Sequence, residues 1–172
     1  MYKTLLLILA FTQLNFCEIN VLYEDQEKTA VNTFIELVQE IPEELTASAE
    51  TVVFNKENFI NSGIAYSGET IELFALSEKN IEEQKFVITH ELAHCWAFDN
   101  LGNDYAEYIE CVKKDNTFIR EYSANRIINN GCYAEDFADA VGYYFTNDSF
   151  EETFPSRSDY IRKCFEKGDK NE

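Results

Sequence analysis

Between Glu27 and Glu40 apolar residues recur at Ala30, Phe34, Ile35, Leu37 and Val38, with Pro42 just beyond. This spacing lays one apolar stripe along a helix that stops before the proline. Three short β-prone runs follow: Thr51-Val52-Val53-Phe54, Gly63-Ile64-Ala65-Tyr66 and Thr70-Ile71-Glu72-Leu73-Phe74. Ser67-Gly68, between the last two, reads as a hairpin turn. From Asn80 the pattern turns helical nearly to the end. Asn80 is an N-cap residue, and Glu83 three positions later completes a capping box. The first of these helices is expected to reach about Phe98. Others are expected over Tyr105–Lys113 and Tyr133–Phe145, and a last one begins near Pro155, which suits a first helical turn. The fold class is therefore α+β, with a small sheet ahead of a mainly helical half.

The N-terminus follows a different pattern. Lys3 precedes the unbroken apolar run Thr4-Leu5-Leu6-Leu7-Ile8-Leu9-Ala10-Phe11, polar Gln13 and Asn15 come next, and Cys17 is a small residue at a cleavage point. A positive start and a short apolar run describe a signal peptide over residues 1–17, far shorter than the roughly 20 residues of a membrane span. A buried N-terminal helix is the competing reading, but the run is too continuous for an amphipathic one. Residues 18–172 then form a single domain, and the expected location is extracellular.

Composition sharpens this picture at two points. The 32 acidic residues outnumber 14 basic ones, for a formal net charge of −18. That balance argues against nucleic acid, which is bound by neutralising phosphates, and against anionic membrane surfaces, and no stable membrane insertion is expected. It leaves two uses open: steering basic peptides toward a cleft, or simple solubility. The chain also has 5 cysteines. Setting Cys17 aside leaves Cys95, Cys111, Cys132 and Cys164, an even set that predicts two disulfides in an oxidising compartment, with the pairing open. The alternative for each is a small buried apolar side chain. Asn147-Asp148-Ser149 is an acceptor sequence for N-glycosylation.

The chemistry concentrates in His90-Glu91-Leu92-Ala93-His94, which holds the only two histidines of the chain. Four residues advance a helix by about 6 Å and turn it only about 40° past a full turn, so both imidazoles share one face and reach one metal ion. Glu91, beside the first ligand, is placed to take a proton from a zinc-activated water and to return it to a leaving amine. Two histidines do not complete a catalytic zinc site, which normally takes three protein ligands. Glu135 in Ala134-Glu135-Asp136-Phe137-Ala138-Asp139-Ala140 is the candidate third, and Asp139 shares its helical face. If Glu135 binds the metal, Asp139 can accept the free N–H of a ligand histidine. The competing reading, two solvated acids on an exposed face, sits poorly with the apolar flanks Phe137, Ala138, Ala140 and Val141.

These two stretches together resemble the gluzincin metallopeptidases, and in particular the catalytic domain of anthrax lethal factor and its relatives. The 41 positions from His94 to Glu135 fit that group better than the thermolysin branch. The resemblance implies a zincin-like fold, with His90, His94 and Glu135 on one zinc ion and Glu91 as general base. It further implies a tyrosine, shortly before the ligand glutamate, that faces the tetrahedral intermediate. That position falls near Ile128 inside Arg126–Cys132, which reads as an insertion, so Tyr122 is the preferred equivalent and Tyr133 the second. The resemblance also implies that the Gly63–Phe74 hairpin borders the cleft and pairs with an extended substrate. The expected function is a secreted zinc metalloendopeptidase acting, as a monomer, on a protein or peptide. The alternative is a non-catalytic zinc-containing binding protein or inhibitor of the same fold. A purely structural zinc site would need a fourth protein ligand, and none is evident.

Overall fold

A computed structural model describes residues 2–10, 16–57, 62–66, 69–102 and 104–165. Five strands form one sheet: β1 (Lys3–Ala10), β2 (Phe16–Tyr23), β3 (Thr51–Asn55), β4 (Gly63–Tyr66) and β5 (Thr70–Phe74), in the order β1-β2-β3-β5-β4. The central pairs β2/β3 and β3/β5 are parallel, and both outer pairs are antiparallel. The expected hairpin is present, with Tyr66 opposite Thr70, while its turn residues Ser67 and Gly68 lie outside the described residues.

Between β2 and β3 run α1 (Lys28–Leu37) and the single turn α2 (Glu43–Thr46). Alternation drives the sheet's packing: Val52 and Phe54 of β3 and Ile71 and Leu73 of β5 are fully buried, with less buried residues between them. Ile19 and Val21 of β2 continue that face, and Phe34 of α1 meets Phe54 edge-on with ring centroids 6.0 Å apart.

The helical half opens with α3 (Ile81–Asn100), started by the expected capping box: Asn80 accepts from the Glu83 N–H and Glu83 from the Asn80 N–H. Next come α4 (Ala106–Asp115), α5 (Glu121–Asn130), α6 (Ala134–Thr146), the turn α7 (Phe150–Thr153) and α8 (Pro155–Phe165). Helix α3 packs on the sheet through β4 and β5 and most extensively on α6. Buried on it are Ile88, Leu92, Ala93, Cys95, Trp96 and Ala97, so it is the central element of the core.

Two stretches form regular elements that the sequence pattern leaves open. The segment read as a leader supplies β1, which pairs along its whole length with β2. The stretch read as an insertion is the second half of α5, closed by Gly131 at φ +64°, the left-handed conformation a side chain disfavours. The cysteines are a correction. Cys95, Cys111, Cys132 and Cys164 are free thiols rather than two disulfides. Cys95 is enclosed within the core on α3, where burial pushes its thiol up to about 12, so it behaves as the small apolar side chain of the alternative reading. Among the described residues no helix is long and apolar enough to cross a membrane.

Behind α6 lies a buried charged network. Arg157 of α8 and Asp115 of α4 have fully buried side chains, as does Asp136 of α6. The Arg157 guanidinium donates to Asp136 from Nε at 2.9 Å and from Nη2 at 3.3 Å, to Asp115 from Nη1 at 3.3 Å and to the Thr117 carbonyl from Nη2 at 3.0 Å. The Tyr108 hydroxyl adds a 2.6 Å bond to Asp136. Asp115 also accepts the Ser156 and Arg157 backbone N–H groups that open α8. Three helices are thereby tied together at the residue next to Glu135.

Candidate metal centre

His90 and His94 stand on one face of α3, and Glu135 enters from the first turn of α6. The two histidine Nε2 atoms are 3.1 Å apart, and Glu135 Oε2 lies 3.6 Å from that of His90 and 3.7 Å from that of His94. A point equidistant from three atoms so spaced lies about 2 Å from each, the length of a zinc–nitrogen or zinc–oxygen bond. Among the described residues these three form the one group of histidine, cysteine, aspartate and glutamate side chains close enough to hold a metal ion. Their donor set, two imidazoles and a carboxylate, suits a zinc ion that keeps a coordination position open.

Asp139, one turn further along α6, places Oδ1 3.1 Å from the other ring nitrogen of His90, and its side chain is 1% exposed. The two groups are thus in contact, while His90 Nδ1 completes no hydrogen bond among the described residues. The same oxygen accepts a 3.0 Å bond from Nη1 of Arg120, a residue that sequence reasoning did not select.

Glu91 lines the same cleft as His90, His94 and Glu135, and its side chain reaches Gly63 of β4. Burial pushes its carboxyl above the ordinary carboxylate value, opposed by His90, His94 and a hydrogen bond from the Ala65 N–H. Room for it is made by Gly63. A methyl group on that glycine would stand 2.5 Å from Glu91 Cγ and 2.6 Å from Oε1. The strand at Gly63 is legible in the sequence, but this contact, between residues 28 positions apart, is not. Gly63→Ala is expected to displace Glu91 or β4. If the site is hydrolytic with Glu91 as its proton acceptor, turnover should fall by about 10²-fold with metal content unchanged, as small misplacements of a reacting group do. Metal analysis beside steady-state kinetics checks this, and full turnover would remove the steric role.

The ligands lie in a cleft of about 840 Å³ bordered by Gly63–Ala65 of β4 and by residues of α3, α5 and α6. Strand β4 is the outermost strand of the sheet on this side, so its far main-chain edge is unpaired among the described strands. Tyr122, 54% exposed on α5, lines the cleft; Tyr133, just before α6, is partly buried against the core instead. Tyr105 also lines the cleft, and burial, then Cys132 and Glu135, push its hydroxyl up to about 12. It is a second phenol near the ligand carboxylate, one that the sequence did not single out.

The charges predict how metal uptake depends on pH. Without a metal ion, burial works against the His90 imidazolium, but the neighbouring carboxylates of Asp139 and Glu135 outweigh it and raise its pKa from 6.5 to about 9. Burial likewise opposes ionisation of Glu135, but the two histidines hold its carboxyl well below the usual carboxylate range. The raised histidine stabilises the metal-free fold fully below pH 6.5, and this is lost as pH rises through about 9. The lowered Glu135 contributes above its ordinary value of 4.5, and that is lost as pH falls. Both contributions are therefore complete between pH 4.5 and 6.5. Because a metal takes neutral imidazole, zinc binding at pH 7 should release about one proton, and release should fade above pH 9. Calorimetry in buffers of different ionisation enthalpy measures this; no release at pH 7 would contradict a protonated His90.

Compared with protein-family models, with curated proteins and with solved structures, the chain has no match.

Proposed function

We propose that the chain is a zinc-dependent endopeptidase of the gluzincin type, with the two-layer arrangement of a zincin. The observation that carries this reading is the triangle of His90, His94 and Glu135 at zinc-ligand spacing, with the buried carboxylate of Glu91 beside it. A metal-binding or structural role has no use for that carboxylate, whereas hydrolysis does.

Zinc at the three ligands supplies a Lewis acid and lowers the pKa of its water toward about 7. The remaining work falls to the chain's own groups. Glu91, its carboxyl raised by burial, accepts a proton from water in the cleft and passes it to the departing amine. The Ala65 N–H and the bare Cα of Gly63 hold that carboxylate in position. An extended peptide adds to the open edge of β4 through main-chain hydrogen bonds, which give affinity with little choice of sequence. Tyr122 and Tyr105 line the cleft, where a phenol can donate to negative charge developing on the scissile carbonyl oxygen. The leader reading makes the enzyme extracellular, and cleavage after Cys17 would remove β1 and the first two residues of β2, leaving the remainder of β2 as the outer strand.

The test is digestion of a diverse peptide library by the purified protein, read by mass spectrometry, with the Glu91→Gln variant and a chelated sample as blanks. Internal cuts that disappear in both blanks support the endopeptidase. A folded, zinc-loaded protein that leaves the library and a panel of extracellular proteins intact would favour the non-catalytic zinc-binding alternative.

A further inference from the structure

Arg120 occupies an unusual position. It is the last residue before α5, in extended conformation, and its side chain is 44% exposed where it lines the cleft. Two contacts hold it. Its guanidinium lies over the Phe86 ring, 5.4 Å from the centroid, and Nη1 donates to Asp139 at 3.0 Å. Phe86 stands one helical turn before His90, with ring centroids 5.8 Å apart, and also packs against Tyr143 at 4.5 Å. Gly142 leaves the space for it, since a methyl group there would be 2.8 Å from the Phe86 ring. The planar head of Arg120 is thus fixed both by stacking and by an ion pair, which a lysine ammonium reproduces only in part.

The acceptor matters more than the donor. Asp139 is almost fully buried, and its Oδ1 serves both Arg120 and the ring nitrogen of His90 that faces away from Glu135. A carboxylate with a single anchor can swing about its side-chain torsions, and a ring that leans on it swings as well. Arg120 anchors the very oxygen that lies 3.1 Å from the His90 ring nitrogen, so it holds the carboxylate where the imidazole can donate to it. Outer partners of metal-binding histidines act in this way, fixing the ring and its tautomer.

We propose that Arg120 is a positioning residue of the metal centre, acting on His90 through Asp139. This rests on the reading of His90, His94 and Glu135 as a metal site. It concerns assembly of the site, and no contact of Arg120 with substrate is needed.

A double-mutant cycle on zinc affinity, measured by competition with a chelator, tests it. Arg120→Ala is expected to weaken binding about 10-fold, the lower end of the range for such outer partners, because half-exposure screens the ion pair. Asp139→Ala should weaken it by up to about 100-fold, and Arg120→Ala added to that variant should cost nothing further, since its only route to the metal is gone. Arg120→Lys should fall between wild type and Arg120→Ala. Cobalt(II) in place of zinc gives a second readout, as the visible band of Arg120→Ala should shift in the direction of Asp139→Ala. Multiplying losses in the double variant, or unchanged affinity in Arg120→Ala, would overturn the proposal. If Arg120→Ala does not fold, Arg120→Lys and Arg120→Gln carry the same cycle. Wild-type protein that takes up no zinc would instead remove the metal-site reading, and the proposal with it.

Discussion

Glu91→Gln is expected to bind zinc as wild type does and to lose about 10²–10⁴-fold in turnover, the usual contribution of a positioned proton acceptor. The exchange is close to isosteric. The carboxamide fills the same pocket against Gly63, and its oxygen can still accept from the Ala65 N–H. What disappears is basicity. Glu91 is only 6% exposed, so bulk water has poor access to replace it as proton carrier. Zinc content by atomic absorption and rates on a peptide found in the library screen decide the matter together. Turnover within a few-fold of wild type, with zinc in place, would end the general-base assignment.

Arg157→Ala is expected to cost about 3–5 kcal/mol of folding stability, because it strips the guanidinium from two carboxylates that stay buried. Asp115 and Asp136 have no exposed surface on their side chains, so neither can turn to water without the helices parting. Most domains hold only about 5–15 kcal/mol in total, so the variant should approach the edge of folding at body temperature. Urea unfolding midpoints measure the loss. A triple variant, Arg157→Met with Asp115→Asn and Asp136→Asn, should recover part of it, since no unpaired charge remains buried. A single variant as stable as wild type would mean the three groups find water or other partners. Zinc affinity should fall with stability, because Asp136 adjoins the ligand Glu135 on α6.

Local chemistry was the legible part of this chain. His90, Glu91 and His94 lie within one helical turn, and the spacing of Glu135 and Asp139 speaks for itself once a helix is assumed. The capping box at Asn80 and the strand runs at Thr51, Gly63 and Thr70 are equally local signals. Contacts across long stretches of sequence were not legible. Gly63 against Glu91, Arg120 on Asp139 and Arg157 between Asp115 and Asp136 each join residues that only tertiary packing brings together. Helix α5 escaped because Asn125, Asn129 and Asn130 weaken its pattern and because a comparison of spacing made it an insertion. Strand β1 escaped because an unbroken apolar run carries no period, although Glu18-Ile19-Asn20-Val21 of its partner does alternate. The cysteines misled through arithmetic: an even count says nothing of distance, and Cys95 faces the core.

The order of elements along the chain also fixes when the centre can exist during synthesis. A ribosome releases the two histidines first and Glu135 and Asp139 forty positions later, and Arg157, which ties α6 to α4, comes out near the end. A nascent chain stopped short of α8 therefore carries every metal ligand but lacks the tie that seats the helix bearing Glu135. A seated metal centre is therefore expected only once α8 has emerged, well after both histidines.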